Sequence, residues 1–250
     1  MEKLLQDRVA LITGGNRGIG AATAKLFSEN GAKVVVTARE AASLQRVCDE
    51  IASAGGTARY FVGDAQDLSV PEQLFEYVID TFGRIDILVC NAGMALRAKS
   101  LDMTVPEWEQ VMTVNLTAPM ELAKRCLKRF SEQKSGKVVF VSSTAAKSVN
   151  MGASPSYGAS KAALVYLTRH FAMEFAKCNV QVNAVCPGPV DTDITKTWTP
   201  EHRANVLSSL PMGRMATPQD IAKPILFLSS GMADYITGES LMVNGGKFMD

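Results

Sequence analysis

Short apolar runs of strand length alternate with longer helical stretches along this chain of 250 residues, and that alternation restricts the fold more than any other feature. The strand-like runs fall at 9–13, 33–37, 59–62, 85–90, 137–142 and 180–185, with a last one at 241–243. Helical stretches lie between them, at 18–29, 41–54, 71–82, 106–130, 155–177 and 218–228. The strand runs are continuously apolar rather than alternating, which means burial on both faces. A repeated strand-helix-strand order with such strands predicts an α/β fold, a Rossmann-type doubly wound parallel sheet of seven strands. The length suits one large domain, or at most two small ones. With no repeat, linker or low-complexity tract, a single domain over residues 1–250 is expected.

One stretch breaks the rhythm. Between residues 187 and 218 the chain carries five prolines (187, 189, 200, 211 and 218) and no strand signal. A loop that long in a compact domain is usually functional, so a substrate lid is expected at about 188–217. Thr199-Pro200-Glu201 followed by Val206 and Leu207 predicts a short helix inside it, with proline at its first position.

Composition removes several function classes. The 26 Lys+Arg balance 25 Asp+Glu to a net charge of +1, which argues against nucleic acid or an anionic membrane as the main partner. No apolar run reaches the roughly 18 residues of a membrane span. The first residues carry acids and meet Gly14-Gly15 too soon for a signal peptide, so a cytoplasmic protein is expected. Five cysteines, an odd number without CxxC spacing, read as free thiols rather than disulfides or a metal site. Only two histidines occur, His170 and His202, and no GxSxG motif; a histidine zinc site and a Ser-His-Asp hydrolase are both disfavoured.

Directly after the first strand stands Thr13-Gly14-Gly15-Asn16-Arg17-Gly18-Ile19-Gly20. Glycines permit a tight turn and close backbone approach, and the following helix N-terminus offers free N–H groups to a pyrophosphate. The second strand should end where an adenosine ribose lies, and NAD sites commonly place an acid there, about 20 residues past the glycines. Here the position reads Ala38-Arg39. A guanidinium grips a 2′-phosphate that a carboxylate would repel, and Arg17 adds a second cation. Two simply solvated arginines are the plain alternative; the pattern favours NADP(H) over NAD(H).

Ser154-Pro155 should start a helix, on which Tyr157 and Lys161 stand four residues apart on one face. A nearby ammonium favours phenolate and would lower the tyrosine pKa. Upstream, Val138-Val139-Phe140-Val141-Ser142-Ser143 ends a strand at the same sheet edge, where ligands of such folds bind.

With these residues in view the chain resembles the short-chain dehydrogenases/reductases over nearly its whole length. The likeness rests on Thr13-Gly14 to Gly18-Ile19-Gly20, Asn91-Ala92-Gly93, Asn115, Ser143, Tyr157 to Lys161, and Pro187-Gly188. Tyr235-Ile236-Thr237-Gly238 and Val243-Asn244-Gly245-Gly246 add similarity to 3-oxoacyl-(acyl-carrier-protein) reductase-like members. The resemblance implies that Tyr157 is the general acid (or the base in reverse) and that Lys161 lowers its pKa and holds the nicotinamide ribose. It makes Ser143 the donor to the substrate oxygen and Asn115 the anchor of a proton-relaying water. It puts Gly14, Asn16, Arg17, Gly18, Ile19 and Gly20 against the cofactor pyrophosphate, with Arg39 beyond them. Asp64 would meet the adenine, Asn91 the region around the adenosine ribose and Thr192 the nicotinamide carboxamide, with Ala65, Ala92, Gly93, Pro187, Gly188 and Val190 also against the cofactor. No metal is implied.

Two departures from the family pattern stand out. Cys90 occupies the place of a second asparagine, and thirteen residues, Thr144 to Ser156, separate Ser143 from Tyr157, about one more than the family pattern. The second leaves open whether Ser143 or Thr144 faces the substrate; Ser143 directly follows the strand and is favoured.

The expected activity is NADP(H)-dependent interconversion of a ketone and a secondary alcohol, foremost reduction of a 3-oxoacyl thioester on acyl carrier protein or coenzyme A. A hydroxysteroid, polyol or xenobiotic-ketone oxidoreductase is the alternative, and a non-catalytic NADP(H) sensor a third. Met94, Leu96, Val149, Met151, Ile194, Trp198, Leu207 and Met212 are candidate apolar pocket residues. Lys124, Arg125, Lys128 and Arg129 form a candidate docking cluster for an acidic carrier, or an ordinary solvated face. The resemblance also implies a homotetramer built through the two long helices, whose Met120, Leu122, Ala123, Leu164, Leu167 and Phe171 either pair with another copy or face the sheet.

Overall fold

Seven parallel strands and their covering helices carry out the alternation read from the sequence, in a computed structural model that describes residues 3–192, 195 and 198–249. The strands are β1 (Val9–Thr13), β2 (Lys33–Ala38), β3 (Thr57–Val62), β4 (Ile87–Cys90), β5 (Gly136–Val141), β6 (Val180–Pro187) and β7 (Ser240–Val243). They lie in the order β3-β2-β1-β4-β5-β6-β7. Every pairing is parallel, with Leu11 beside Val35 on one side and Leu88 on the other. The order reverses between β1 and β4, so a crevice opens there beyond the carboxyl ends of the strands.

Successive side chains of a strand point to opposite faces, and the two faces are buried by different helices. Helices α1 (Gly18–Glu29), α2 (Ala41–Ser53) and α8 (Pro218–Ser229) cover one face, packing Phe27, Leu44 and Ile225 on Ile12, Val36 and Val139. Helices α3 (Val70–Phe82), α5 (Ala118–Gln133) and α6 (Pro155–Phe175) cover the other, packing Leu74, Phe130 and Leu164 on Leu11, Val35 and Phe140. Each such side chain contributes roughly 1.5–3 kcal/mol by leaving water. Strand β5 starts at Gly136 because the Phe130 ring lies against its backbone; a Cβ there would stand 2.1 Å from Phe130 Cγ.

The predicted elements match the observed ones within two residues at most ends, with two instructive exceptions. The run 85–90 yields a strand only from Ile87, because Asp86 has another task. Its buried carboxylate accepts the Val9 N–H at 2.9 Å, both arms of Arg84 at 3.0 and 2.6 Å, and Arg8 at 3.3 Å. The helix expected over 106–130 is interrupted. It consists of α4 (Val105–Met112), a π-helical turn Thr113–Thr117, and α5. Pro119 is the physical reason: it has no N–H to give the Asn115 carbonyl four residues earlier, so the α-helical ladder breaks there. Helix α4 starts at a capping box, Thr104 Oγ1 accepting the Glu107 N–H while the Glu107 carboxylate accepts from Thr104.

The proline-rich stretch holds the expected short helix, α7 (Pro200–Ser208), whose cap Thr199 accepts the His202 N–H at 3.2 Å. The strand-free expectation needs one amendment, since Val190 and Ala216 form an isolated parallel bridge that closes the base of the loop. The helix residues considered for pairing with another copy face inward. Leu122, Ala123, Leu164 and Phe171 are buried core, and Met120 and Leu167 pack against them.

Candidate active site

The crevice at the β1/β4 switch point is assembled from residues whose local geometry leaves little choice of amino acid. Gly14 and Gly18 have φ of +64° and +52°, the left-handed region that favours glycine. At Gly20 a Cβ would stand 2.1 Å from the Gly14 carbonyl oxygen, so the turn cannot close around a larger residue. Helix α1 follows at once, with Arg17 at its N-cap position making no side-chain bond to the first N–H groups.

Asn91 fastens this loop to β4. Its Nδ2 donates to the carbonyls of Thr13 at 2.9 Å and Gly14 at 3.1 Å. Thr13 Oγ1 reciprocates by accepting the N–H groups of Asn91 and Ala92, both at 3.0 Å. The Nδ2 group of Asn91 is therefore committed to shaping the crevice. Asn16 is likewise engaged, donating to Ser43 Oγ at 3.1 Å. Thr13 and Ser43 are the contributors that sequence reasoning missed; Thr13 entered only as the first letter of a glycine motif, and Ser43 carried no spacing signal at all.

Arg17 and Arg39 are exposed at the ends of β1 and β2. Asp64, beyond β3, accepts the Gln66 N–H at 3.0 Å through one carboxylate oxygen, with Ala65 half-buried beside it. At the opposite end Pro187 closes β6, and Gly188 donates its N–H to Val243 at 3.0 Å. Val190 is buried at the loop base, and Thr192 reaches back across the glycine loop: a Cβ on Gly18 would lie 3.4 Å from its methyl group.

Four polar residues gather between β5 and α6. Ser143, just past β5, accepts the Ala145 N–H at 3.1 Å and hydrogen-bonds the Tyr157 phenol. Ser143 is thus the residue that pairs with Tyr157, while the Thr144 carbonyl accepts from the N–H groups of Lys147 and Ser148 and from the Ser148 hydroxyl. Lys161 is buried, and its Nζ donates to the Val141 carbonyl at 2.8 Å while lying 5.9 Å from the centre of the Tyr157 ring. Burial lowers its pKa to about 8, opposed by the nearby Cys186 and Cys90. Burial raises the Tyr157 phenol, and only the Ser143 hydrogen bond pulls it down. Burial and the Ser143 bond are the influences on the phenol, so the depression by the Lys161 ammonium expected from the sequence is not part of this geometry.

Asn115 sits on the π-helical turn, fully buried. Its Oδ1 accepts the Met94 N–H at 2.8 Å, and its Nδ2 donates to the Met94 carbonyl at 2.9 Å and to Ser160 Oγ at 3.1 Å. Ser160 passes the chain on, donating to the Tyr157 carbonyl at 2.8 Å. The side chain is thus used on three partners, and Pro119 has no N–H to give the Asn115 carbonyl. Gly93 completes the floor; a Cβ there would come within 3.3 Å of Asn115 Oδ1 and 3.4 Å of Lys161 Nζ.

The candidate pocket residues do not all converge. Val149 and Met151 are 87% and 92% exposed, and Met212 leans on Gly245. Leu96 is held near the start of α6 by the Ser154 N–H on its carbonyl at 2.9 Å. Trp198 meets His202 edge-on at 4.8 Å, and Leu207 is half-buried on α7. Ile194 lies outside the described residues.

Comparison with known proteins agrees with this geometry. The family profile described as enoyl-(acyl carrier protein) reductase matches residues 14–247. The 3-oxoacyl-(acyl-carrier-protein) reductase of Vibrio cholerae is 38% identical over 98% of this chain and 99% of its own length. That of Aquifex aeolicus is 37% identical over 99% and 100%. A solved short-chain type dehydrogenase/reductase of Mycobacterium marinum superimposes with a TM-score of 0.95 at 31% identity, covering 100% of this chain and 98% of that one. The chain belongs to the short-chain dehydrogenase/reductase family. Another solved relative, a candidate NAD(P)-dependent gluconate 5-dehydrogenase of Beutenbergia cavernae holding NADP, shares 36% identity with a TM-score of 0.94, over 99% of both chains.

The site residues fit a nicotinamide dinucleotide on structural grounds. The glycine turn excludes side chains where the pyrophosphate would approach a helix N-terminus. The buried Lys161 ammonium has three donors and, among the described residues, the single acceptor Val141 O, leaving donors for ribose hydroxyls.

Proposed function

We propose that this oxidoreductase reduces the ketone of a 3-oxoacyl thioester to the secondary alcohol with NADPH. The observation that carries the reading is the Ser143–Tyr157 hydrogen bond beside buried Lys161, facing the dinucleotide crevice. When bound, NADPH supplies the hydride. Ser143 hydrogen-bonds the carbonyl oxygen and steadies its developing charge. Tyr157 gives its phenolic proton to that oxygen, which is why its retention of the proton matters. Lys161 binds the nicotinamide ribose and stabilises the phenolate left behind, and the Asn115 carbonyl holds the water through which protons return. Arg17 and Arg39, with no acid at the end of β2, support NADPH over NADH. The full-length likeness to two 3-oxoacyl-(acyl-carrier-protein) reductases supports the thioester.

The loop 188–217 acts as the substrate lid, and the working form is a cytoplasmic homotetramer. Carrier docking on α5 has weaker support than its sequence implied, since Lys124 and Arg125 pair with Glu121, Arg125 also with Glu72, and Arg129 with Glu132. The Beutenbergia likeness favours a second reading, a polyol or sugar-acid dehydrogenase with the same residues in the same roles.

The deciding assay is NADPH consumption with acetoacetyl-CoA, beside NADH and beside Tyr157→Phe. Turnover with NADPH that disappears in the variant is expected. Binding of NADPH without turnover would move the substrate to the polyol class. Turnover that survives Tyr157→Phe would overturn the mechanism for either substrate.

A further inference from the structure

The Val243-Asn244-Gly245-Gly246 segment has no part in the chemistry above, yet it touches both the cofactor end of the site and the lid. Gly188 donates its N–H to Val243 at 3.0 Å, and a Cβ on Gly188 would stand 2.9 Å from Asn244 Cα. The Asn244 side chain folds the segment into a turn: its Nδ2 donates to the Phe248 carbonyl at 2.7 Å, and its Oδ1 accepts the Gly246 N–H at 2.9 Å. Gly245 and Gly246 take φ of +63° and +83°, open only to glycine at low cost. Against this turn the returning arm of the lid comes to rest. Met212 donates its N–H to the Gly245 carbonyl at 3.3 Å and lays its side chain over Gly245, and a Cβ on Gly246 would lie 3.2 Å from the Pro211 ring.

We infer that the Asn244–Gly246 turn is the seat of the substrate lid, and that Asn244 and Gly246 are positioning residues that set the lid's height over the site. Among the described residues the arm is also held by buried Leu210 and Met215 and by the Arg214–Asp220 ion pair at 2.6 Å, whereas helix α7 has less to hold it. Helix α7 buries none of its residues, and its fastening to the loop base is the exposed Arg203–Asp191 ion pair at 3.1 Å. A helix with so little buried surface opens easily unless its ends are fixed. The bridge Val190–Ala216 fixes the base, and the glycine turn fixes the arm just after α7. The same turn braces Gly188, so the lid and the nicotinamide end of the crevice share one support. This inference rests on the reading of 188–217 as a lid over the substrate.

The test compares Gly246→Ala and Asn244→Ala with Gly55→Ala as control. Gly55 has a similar φ of +79° but open space around it and lies far from the lid, so its variant carries the backbone strain without the lid contact. Trypsin cleavage after Arg203 in the intact protein, measured without substrate, reports the lid directly. Several-fold faster cleavage is expected in Gly246→Ala and Asn244→Ala and none of that increase in Gly55→Ala. With NADPH and acetoacetyl-CoA, Gly246→Ala should raise the KM for the thioester several-fold, and Gly55→Ala should not. Cleavage rates equal to the wild type, or equal in Gly246→Ala and Gly55→Ala, would overturn the seat. If acetoacetyl-CoA is not turned over at all, the thioester reading fails alone and the proteolysis still decides the seat.

Discussion

Replacing Lys161 by methionine should make the ligand-free protein more stable at neutral pH and catalytically dead. Burial lowers the Lys161 pKa from the ordinary 10.5 to about 8, so the folded state holds its proton less tightly than the unfolded chain. At roughly 1.4 kcal/mol per pH unit, the charged lysine costs about 3 kcal/mol of stability at pH 7. Methionine fills nearly the same volume without a charge, but it leaves the Val141 carbonyl without the 2.8 Å bond, a loss of about 1–2 kcal/mol. The net expectation is a gain of about 1–2 kcal/mol at pH 7. Between the folded and unfolded pKa values the unfolded chain binds more protons, so wild-type stability rises with pH across that window. The penalty is fully present below about pH 8 and gone above about 10.5, and the two stability curves cross at about pH 9–10. Urea denaturation followed by far-ultraviolet circular dichroism, at fixed protein concentration from pH 7 to 10.5, reads the difference. A difference that does not change with pH, or a variant less stable throughout, would refute the claim that Lys161 is held against its own desolvation.

Three further perturbations probe other parts of the site. Arg39→Asp should raise the KM for NADPH roughly a hundredfold, a loss of about 2–3 kcal/mol of charge-assisted contact, and leave NADH use intact; steady-state kinetics with both cofactors would show otherwise if Arg39 is only solvated. Gly20→Ala should abolish NADPH binding, because its Cβ would stand 2.1 Å from the Gly14 carbonyl oxygen and force the turn open; fluorescence titration checks this, and near-native affinity would contradict the crowding. Thr37→Val should raise the melting temperature by about 2–4 °C for each kcal/mol gained, since the buried Thr37 hydroxyl has no hydrogen-bond partner among the described residues and valine keeps its shape. A calorimetric scan showing a drop would mean that the hydroxyl has an unrecognised partner.

The sheet was legible because a strand buried on both faces has no polar alternation to confuse its reading. Val34-Val35-Val36 and Val138-Val139-Phe140 reveal themselves by composition alone. What escaped were features set by single atoms rather than by periodicity. The break in the helix at 113–117 depends on the one N–H that Pro119 lacks, and hydrophobic spacing is blind to it. The start of β4 at Ile87 depends on Asp86 meeting Arg84 two residues before it and Arg8, which the parallel pairing of β1 and β4 brings alongside. Within the site, the glycine turn and the Tyr157–Lys161 spacing were readable because backbone geometry and helical pitch fix them. The engagement of Asn91 and Asn115 was not, because an asparagine declares what it can bond and not which carbonyl stands beside it.

Those two asparagines show how a fold of this kind keeps its reactive crevice open. Crevices at a switch point exist because neighbouring strands lead off in opposite directions, so β1 and β4 end side by side with no shared continuation. Beyond the paired strands Asn91 bonds two carbonyls of the glycine turn, and Asn115 bonds both the N–H and the carbonyl of Met94. Each replaces a strand pairing that the topology forbids with a side chain that imitates a peptide. The Asn115 network then runs through Ser160 into the backbone of Tyr157, so the clamp that holds the crevice open also fixes the helix carrying the acid. Removing the Asn115 amide would therefore disturb Tyr157 and the Met94 loop together.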